Sequence, residues 1–265
     1  MPKVKVDGIN IYYEVHGDGF PLLMILGLSE NVYWWDPPMI EELSKHFKIV
    51  ILDNRGVGRS DKLDGDVTIE MMATDVLGLM DALDINQAHI LGHSMGGMIA
   101  QELALKSPDR IKKLVLCSTS CGGSKAEIPS IETQKILAKL SAKKHTRDLI
   151  EEAMPHIFSK KFMHGNPEFM RKKVDDILII PTGPATFKAQ MAAWMRYNSY
   201  RKLKTINLPT LIVHGNQDIL VPPRNGELLT EKLATAEIVW FDSSAHMIHS
   251  EETEKFIETL LKFLN

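Results

Sequence analysis

Ala88-His89-Ile90-Leu91-Gly92-His93-Ser94-Met95-Gly96-Gly97-Met98-Ile99-Ala100-Gln101-Glu102-Leu103-Ala104 passes from an apolar, strand-like run through a tight turn into a helical pattern. At its centre stands Gly-x-Ser-x-Gly. A strand-to-helix turn this sharp needs small residues on both flanks of the serine, where larger side chains would clash. The turn leaves the Ser94 hydroxyl standing above the end of the strand, over the positive end of a helix dipole. A serine so placed reads as a nucleophile. Without the strand before it and the helix after it, the same pentapeptide would read as a structural Gly-rich turn.

Outward from this turn the chain alternates strands with helices. Leu22-Leu23-Met24-Ile25-Leu26, Ile49-Val50-Ile51-Leu52, Leu114-Val115-Leu116 and Leu211-Ile212-Val213 are continuously apolar, as strands are when helices cover both faces of a parallel sheet. Between them, Ile69, Met72, Val76, Leu79, Met80 and Leu83 recur at three- and four-residue intervals after the N-cap candidate Thr68, which predicts an amphipathic helix. Residues 3–15 read as two antiparallel strands joined at Asp7-Gly8. The fold class expected is α/β, a mostly parallel doubly wound sheet with right-handed crossovers.

The alternation stops after Cys121-Gly122-Gly123-Ser124 and resumes at Leu208-Pro209-Thr210-Leu211. Residues 1–123 and 204–265 are therefore expected to form one core, and 124–203 an inserted helical cap. Three helices are expected in it, over 131–152, 167–180 and 185–198. Its Met154, Phe158, Met191 and Trp194 either pack on the core or line an apolar pocket, and Met and aromatic side chains suit both.

A serine hydroxyl needs a base to take its proton, and that base needs a third group to orient it. Ten histidines are available, so position must choose among them. Asp218 follows the strand that ends at Val213-His214-Gly215. His246 follows the strand-like Glu237-Ile238-Val239-Trp240-Phe241. Reactive groups in open α/β sheets gather beyond the C-terminal ends of strands, where Ser94, Asp218 and His246 all fall. His249 remains a competitor for the base. His93 reads as elbow packing, and Asp242 as loop solvation.

The chain resembles the α/β-hydrolase-fold superfamily, in its esterase, 3-oxoadipate enol-lactonase and cofactor-free perhydrolase group. The matching segments are Gly92-His93-Ser94-Met95-Gly96-Gly97, Asp53-Asn54-Arg55-Gly56-Val57-Gly58-Arg59-Ser60-Asp61, His214-Gly215-Asn216-Gln217-Asp218, and Ala245-His246 followed by Glu251. The chain order Ser, Asp, His is the one this architecture uses. The resemblance implies Ser94 as nucleophile, Asp218 as acid and His246, five residues before Glu251, as base. The loop Ser118-Thr119-Ser120-Cys121-Gly122, where some relatives carry the acid, holds no carboxylate. Acyl transfer also needs N–H donors for an oxyanion. Met95 is expected to give one and Leu28 the other, although relatives often have His-Gly where this chain has Leu26-Gly27. Trp34 and Trp35 follow closely, as pocket lining or as helix-start packing.

The expected chemistry is hydrolysis of small-to-medium carboxylic esters, with lactone hydrolysis or perhydrolysis as other uses of the same site. A ligand receptor that turns over poorly is the rival from another class. No cofactor and no metal is expected: Gly56-Val57-Gly58 lacks the third glycine of a dinucleotide loop, and no His/Glu helix pair has metal-ligand spacing. A net charge of -3 gives no reason to expect nucleic acid. The partner expected is a small-molecule ester or lactone, with no membrane, and a homodimer is left open. With no apolar leader at its start, the chain is expected to be cytoplasmic. Cys117, within Leu114-Val115-Leu116-Cys117, reads as a reduced, buried small hydrophobe.

Overall fold

The computed structural model describes residues 2–62 and 65–265. Eight strands, β1 (Lys3–Val6), β2 (Ile9–His16), β3 (Phe20–Ile25), β4 (Phe47–Leu52), β5 (Ala88–His93), β6 (Ile111–Cys117), β7 (Thr210–Gly215) and β8 (Ala236–Phe241), form one sheet in the order β1-β2-β4-β3-β5-β6-β7-β8. β1 and β2 pair antiparallel, β2 meets β4 antiparallel, and every pairing from β4 through β8 is parallel.

The apolar runs are explained by what lies on either side. Alternate strand residues point to opposite faces. Leu23, Ile25, Val50 and Ile90 share a buried cluster with the helices α2 (Ile69–Ala82) and α3 (Met95–Lys106). Leu22, Met24, Ile49 and Leu91 share the other cluster with α1 (Pro37–Ser44) and the C-terminal helix. Thr68 caps α2 as expected, its hydroxyl accepting from Met71 N–H at 3.1 Å, and Ile69, Met72, Val76, Leu79 and Met80 form the buried stripe.

The segment between β6 and β7 carries helices joined by loops, but its helices differ from those expected. There are five: α4 (Ile131–Ala142), α5 (Arg147–Ala153), α6 (Lys160–Gly165), α7 (Pro167–Ile179) and α8 (Pro184–Arg196). The expected helix over 131–152 is two, because the chain extends at Lys143 and Thr146 starts a new N-terminus by accepting from Leu149 N–H. α6 begins the same way, with Ser159 accepting from Phe162 N–H. Hydroxyl caps of this kind were visible only as isolated Ser and Thr residues. The remaining helices are α9 (Arg224–Lys232), the short α10 (Ile248–Glu251) and α11 (Thr253–Leu264).

Buried ion pairs tie these parts together. Arg55 makes a two-pronged contact with Asp75 of α2, at 2.5 and 2.6 Å. Lys173 of α7 reaches Asp36 at 2.7 Å and the carbonyl of Trp34 at 3.2 Å, joining the inserted helices to the loop after β3. Both cysteines are free and buried, and burial pushes the Cys117 thiol far up from its ordinary pKa. Among the described residues no helix is long and apolar enough to cross a membrane.

Candidate active site

Ser94 sits between β5 and α3 with φ 56° and ψ −123°, a left-handed conformation that costs a non-glycine residue about 1–3 kcal/mol. The surroundings impose it. Ser94 N–H donates to Cys117 C=O at 2.9 Å, and Ser94 C=O accepts from Thr119 Oγ1 at 2.6 Å and from Gly97 N–H at 2.9 Å. The flanking glycines are needed because backbone lies against them. A Cβ on Gly92 would stand 2.3 Å from the carbonyl oxygen of Gly96, and one on Gly96 would stand 2.1 Å from that of Ile25.

His246 Nδ1 lies 2.7 Å from Asp218 Oδ2, with both residues almost fully buried. The other oxygen of Asp218 accepts from Leu220 N–H at 2.9 Å and Val221 N–H at 2.8 Å, which fixes the carboxylate beyond the end of β7. Burial works against charge on His246, but the Asp218 carboxylate outweighs it, so the imidazole titrates above its ordinary value. His246 Nε2 is buried and has no hydrogen-bond partner among the described residues. His246 and Ser94 line the same chamber. His249 is not a competitor geometrically: it is buried against Trp35, ring centroids 4.8 Å apart, with no contact to Asp218, and burial drives its pKa well below the usual value.

The inserted helices hold the His246 loop. His246 and Met247 N–H both donate to Ile157 C=O, at 3.0 and 3.2 Å. Glu251 accepts from Ala245 N–H at 3.0 Å and, through its other oxygen, from Ser159 N–H at 3.1 Å.

Leu28 lies beyond β3, in a loop whose N–H groups are sorted. Gly27 N–H donates to Glu30 Oε2 at 2.7 Å, and Ser29 N–H donates to Gln190 Oε1 at 2.8 Å. Between them the Leu28 N–H meets no protein acceptor among the described residues, and neither does the Met95 N–H at the start of α3. Glu30 and Gln190 thus supply the stiffening that the Leu26-Gly27 sequence lacks. Both were missed from sequence. Gln190, fully buried on α8, also donates from Nε2 to Arg55 C=O at 3.1 Å. Glu30 faces His93 Nδ1 at 3.2 Å, whose Nε2 lies 3.2 Å from His246 C=O. Burial would raise the Glu30 pKa, but His93 beside it outweighs that and holds the carboxyl below its usual range.

The chamber over Ser94 measures about 110 Å³. Among the side chains offered as pocket lining, Trp34 and Met154 face this chamber. Trp35 and Phe158 do not: each is core, Trp35 against His93 and His249 and Phe158 against Phe162 and Phe169. Trp194 lines a separate cavity between α4 and α8. The lining that sequence did not single out includes Leu140, Ile177, Phe187 and Leu220. It also includes His145, whose Nε2–H donates to Leu140 C=O at 2.9 Å and whose pKa burial lowers. No Lys or Arg is among the described residues that line the chamber. Gly56-Val57-Gly58 is a structural turn, its neighbour Arg59 N–H bound at 2.8 Å by the Asp53 carboxylate. No cluster of three or more His, Cys, Asp or Glu among the described residues could hold a metal ion.

Comparison with known proteins identifies the fold. A family model for the alpha/beta hydrolase fold matches residues 21–253. A protein of Rhizobium rhizogenes named as a candidate carbamate hydrolase, RutD, is 30% identical, with 96% of this chain and 97% of the relative covered. The 3-oxoadipate enol-lactonase 1 of Acinetobacter baylyi is 28% identical, over 86% of this chain and 82% of the relative. Among solved structures, the enol-lactonase of Burkholderia xenovorans superposes with a TM-score of 0.89 at 27% identity, covering 99% of both chains. These relatives are named for hydrolytic reactions on small molecules, which supports hydrolytic activity here. With the match running from β3 to the start of α11, the chain belongs to the alpha/beta hydrolase fold family.

Proposed function

We propose that this chain hydrolyses uncharged carboxylic esters, or lactones without a free carboxylate, through Ser94, His246 and Asp218. The observation that carries the reading is the orientation of His246: its Nδ1 is fixed on Asp218 while its buried Nε2 has no hydrogen-bond partner among the described residues, in the chamber it shares with Ser94. In this mechanism Ser94 Oγ attacks the ester carbonyl carbon as its proton passes to His246 Nε2. Asp218 keeps the tautomer with the proton on Nδ1 and stabilises the imidazolium that forms. The N–H groups of Leu28 and Met95 receive the oxyanion. Collapse of the tetrahedral intermediate expels the alcohol, which takes the proton from His246. Water then repeats the sequence on the acyl-serine and releases the acid. The helical segment 124–203 acts as the cap that closes the chamber.

The lining bears on which relative's substrate is the better guide. A lactone derived from oxoadipate keeps a second carboxylate. Burying such an anion without a cationic partner is costly, and the chamber has no Lys or Arg among its described residues. A neutral substrate meets no such penalty. The expected result is that Ser94→Ala loses turnover of p-nitrophenyl acetate by about 10⁴-fold or more and loses fluorophosphonate labelling, with an unchanged circular dichroism spectrum. Retained turnover would sink the proposal. Labelling with a single turnover and tight product retention would point to the receptor reading.

A further inference from the structure

The chamber over Ser94 is too small for most ligands. Small-molecule sites usually enclose ~300–1,000 Å³, against about 110 Å³ here. A second cavity of about 370 Å³ lies beside it, between α4, α8 and the loop after β6. Leu137 of α4 lines both, one side of its half-buried side chain serving each. We infer that this second cavity receives the apolar acyl arm of the ester, with Leu137 as the doorway, so that the substrates are esters of medium-chain, uncharged acids. The inference rests on the assignment of Ser94 as nucleophile.

Several observations converge on that occupant. Half-buried Leu137, Met191 and Trp194 form apolar walls, with exposed Ala138 and Met195 nearer the surface and buried Ser120, Gly122 and Pro129 at the base. The charged residue in the lining is the exposed Glu127, an anion that would repel a carboxylate-terminated arm, and no Lys or Arg among the described residues offsets it. The floor is built rather than incidental. The Gly122-Gly123 turn is bridged to Asn198 just after α8, close enough that a Cβ on Gly122 would stand 2.2 Å from the carbonyl oxygen of Tyr197.

Direction follows from the chemistry of the site. His246 must face the leaving oxygen, because it returns the proton there. His246 and Leu220 line the chamber but not the second cavity, whose walls come from the β6 side and from α4 and α8. The arm that enters the second cavity is therefore the acyl chain, pointing away from His246, and not the alcohol.

The test is a series of p-nitrophenyl esters from acetate to decanoate, read as the ratio of kcat/KM for decanoate to that for acetate. Changing one methylene's worth of space in an apolar pocket shifts kcat/KM by about 10–200-fold. Met191→Trp and Ala138→Trp, which fill the cavity from its half-buried wall and from its exposed side, should each lower the ratio by at least about tenfold, and Leu137→Ala should raise it. Ala138 is exposed, so its variant keeps the question open even if Met191→Trp does not fold. The inference is overturned if the ratio stays within twofold in a folded filler variant. It is equally overturned if the fillers penalise octyl acetate, with its chain on the alcohol, instead of decanoate. Acetate turnover and Ser94 labelling in the unmodified protein separate the two levels. If they are present and the ratio does not move, the acyl-arm assignment alone falls; if they are absent, the esterase reading falls first.

Discussion

Gln190→Leu tests whether the inserted helices set the chemistry as well as shelter it. The substitution keeps the approximate volume of the side chain and removes two hydrogen bonds, Ser29 N–H to Oε1 at 2.8 Å and Nε2 to Arg55 C=O at 3.1 Å. Gln190 is fully buried, so both freed groups lose their partner away from solvent. Each orphaned polar group costs about 1–3 kcal/mol, or ~2–6 kcal/mol together. At about 2–4 °C per kcal/mol for a domain of this size, the melting temperature should drop by roughly 4–24 °C. The catalytic effect has a separate origin. Ser29 is held at φ 64°, next to the Leu28 N–H assigned to the oxyanion, and without its anchor the backbone can relax toward ordinary φ and turn that N–H away. Losing one oxyanion donor costs about 10²–10³ in kcat, and partial misplacement should cost at least about tenfold. Melting followed by circular dichroism gives the first quantity. Ester kinetics at a temperature where the variant is fully folded give the second, with kcat falling more than KM changes because the donor acts in the transition state. A folded variant whose kcat stays within twofold of the parent would refute the link between α8 and the oxyanion loop.

Other outcomes follow from the buried charges. Because Asp218 outweighs burial in raising the His246 pKa, the acidic limb of kcat/KM should have its midpoint above the ordinary histidine value of about 6.5; a midpoint at or below that value would contradict the assignment. Stability runs the other way. A histidine whose folded pKa is raised stabilises the fold fully below its unfolded pKa, and loses that contribution as pH rises through the folded one. Protonated His246 therefore belongs to the more stable but inactive form. Asp75→Ala should cost about 3–5 kcal/mol in urea unfolding, because Arg55 would be left as a buried, unpaired cation. The double variant Arg55→Met with Asp75→Leu should regain most of that, and a single variant within 1 kcal/mol of the parent would show that water reaches Arg55.

Much of this architecture was legible because it is local or periodic. Leu22–Leu26 and Leu211–Val213 announced covered strands since each alternate residue enters one of two apolar layers. The elbow was readable because its steric demand falls on Gly92 and Gly96, within two residues of Ser94. Asp218 and His246 could be placed because strand ends converge in a parallel sheet, and the structure puts them 2.7 Å apart. What escaped has partners far away along the chain. Gln190 meets Ser29 across 161 positions, and Lys173 meets Asp36 across 137. No spacing rule reports such pairs. The tryptophans misled for a related reason: Trp34 and Trp35 are neighbours in sequence, and only the helix-start geometry turns the first to the chamber and the second to His249. Trp194 lines the second cavity and not the chamber over Ser94, since α8 turns it toward α4.

The hydrogen bonds from His246 and Met247 to Ile157 have a bearing on how such a protein can diverge. A proposed base that hangs from the inserted helices would make that insertion inseparable from the proposed reaction. A chimaera that exchanged residues 124–203 for a foreign segment would have to offer a carbonyl in place of Ile157, an N–H in place of Ser159 and an amide in place of Gln190, or lose its base and its oxyanion loop together. α4 carries none of these three points, yet Leu137 and Ala138 face the cavities. Mutations in α4 can thereby alter what fits while leaving the anchors of the proposed base and oxyanion loop in place.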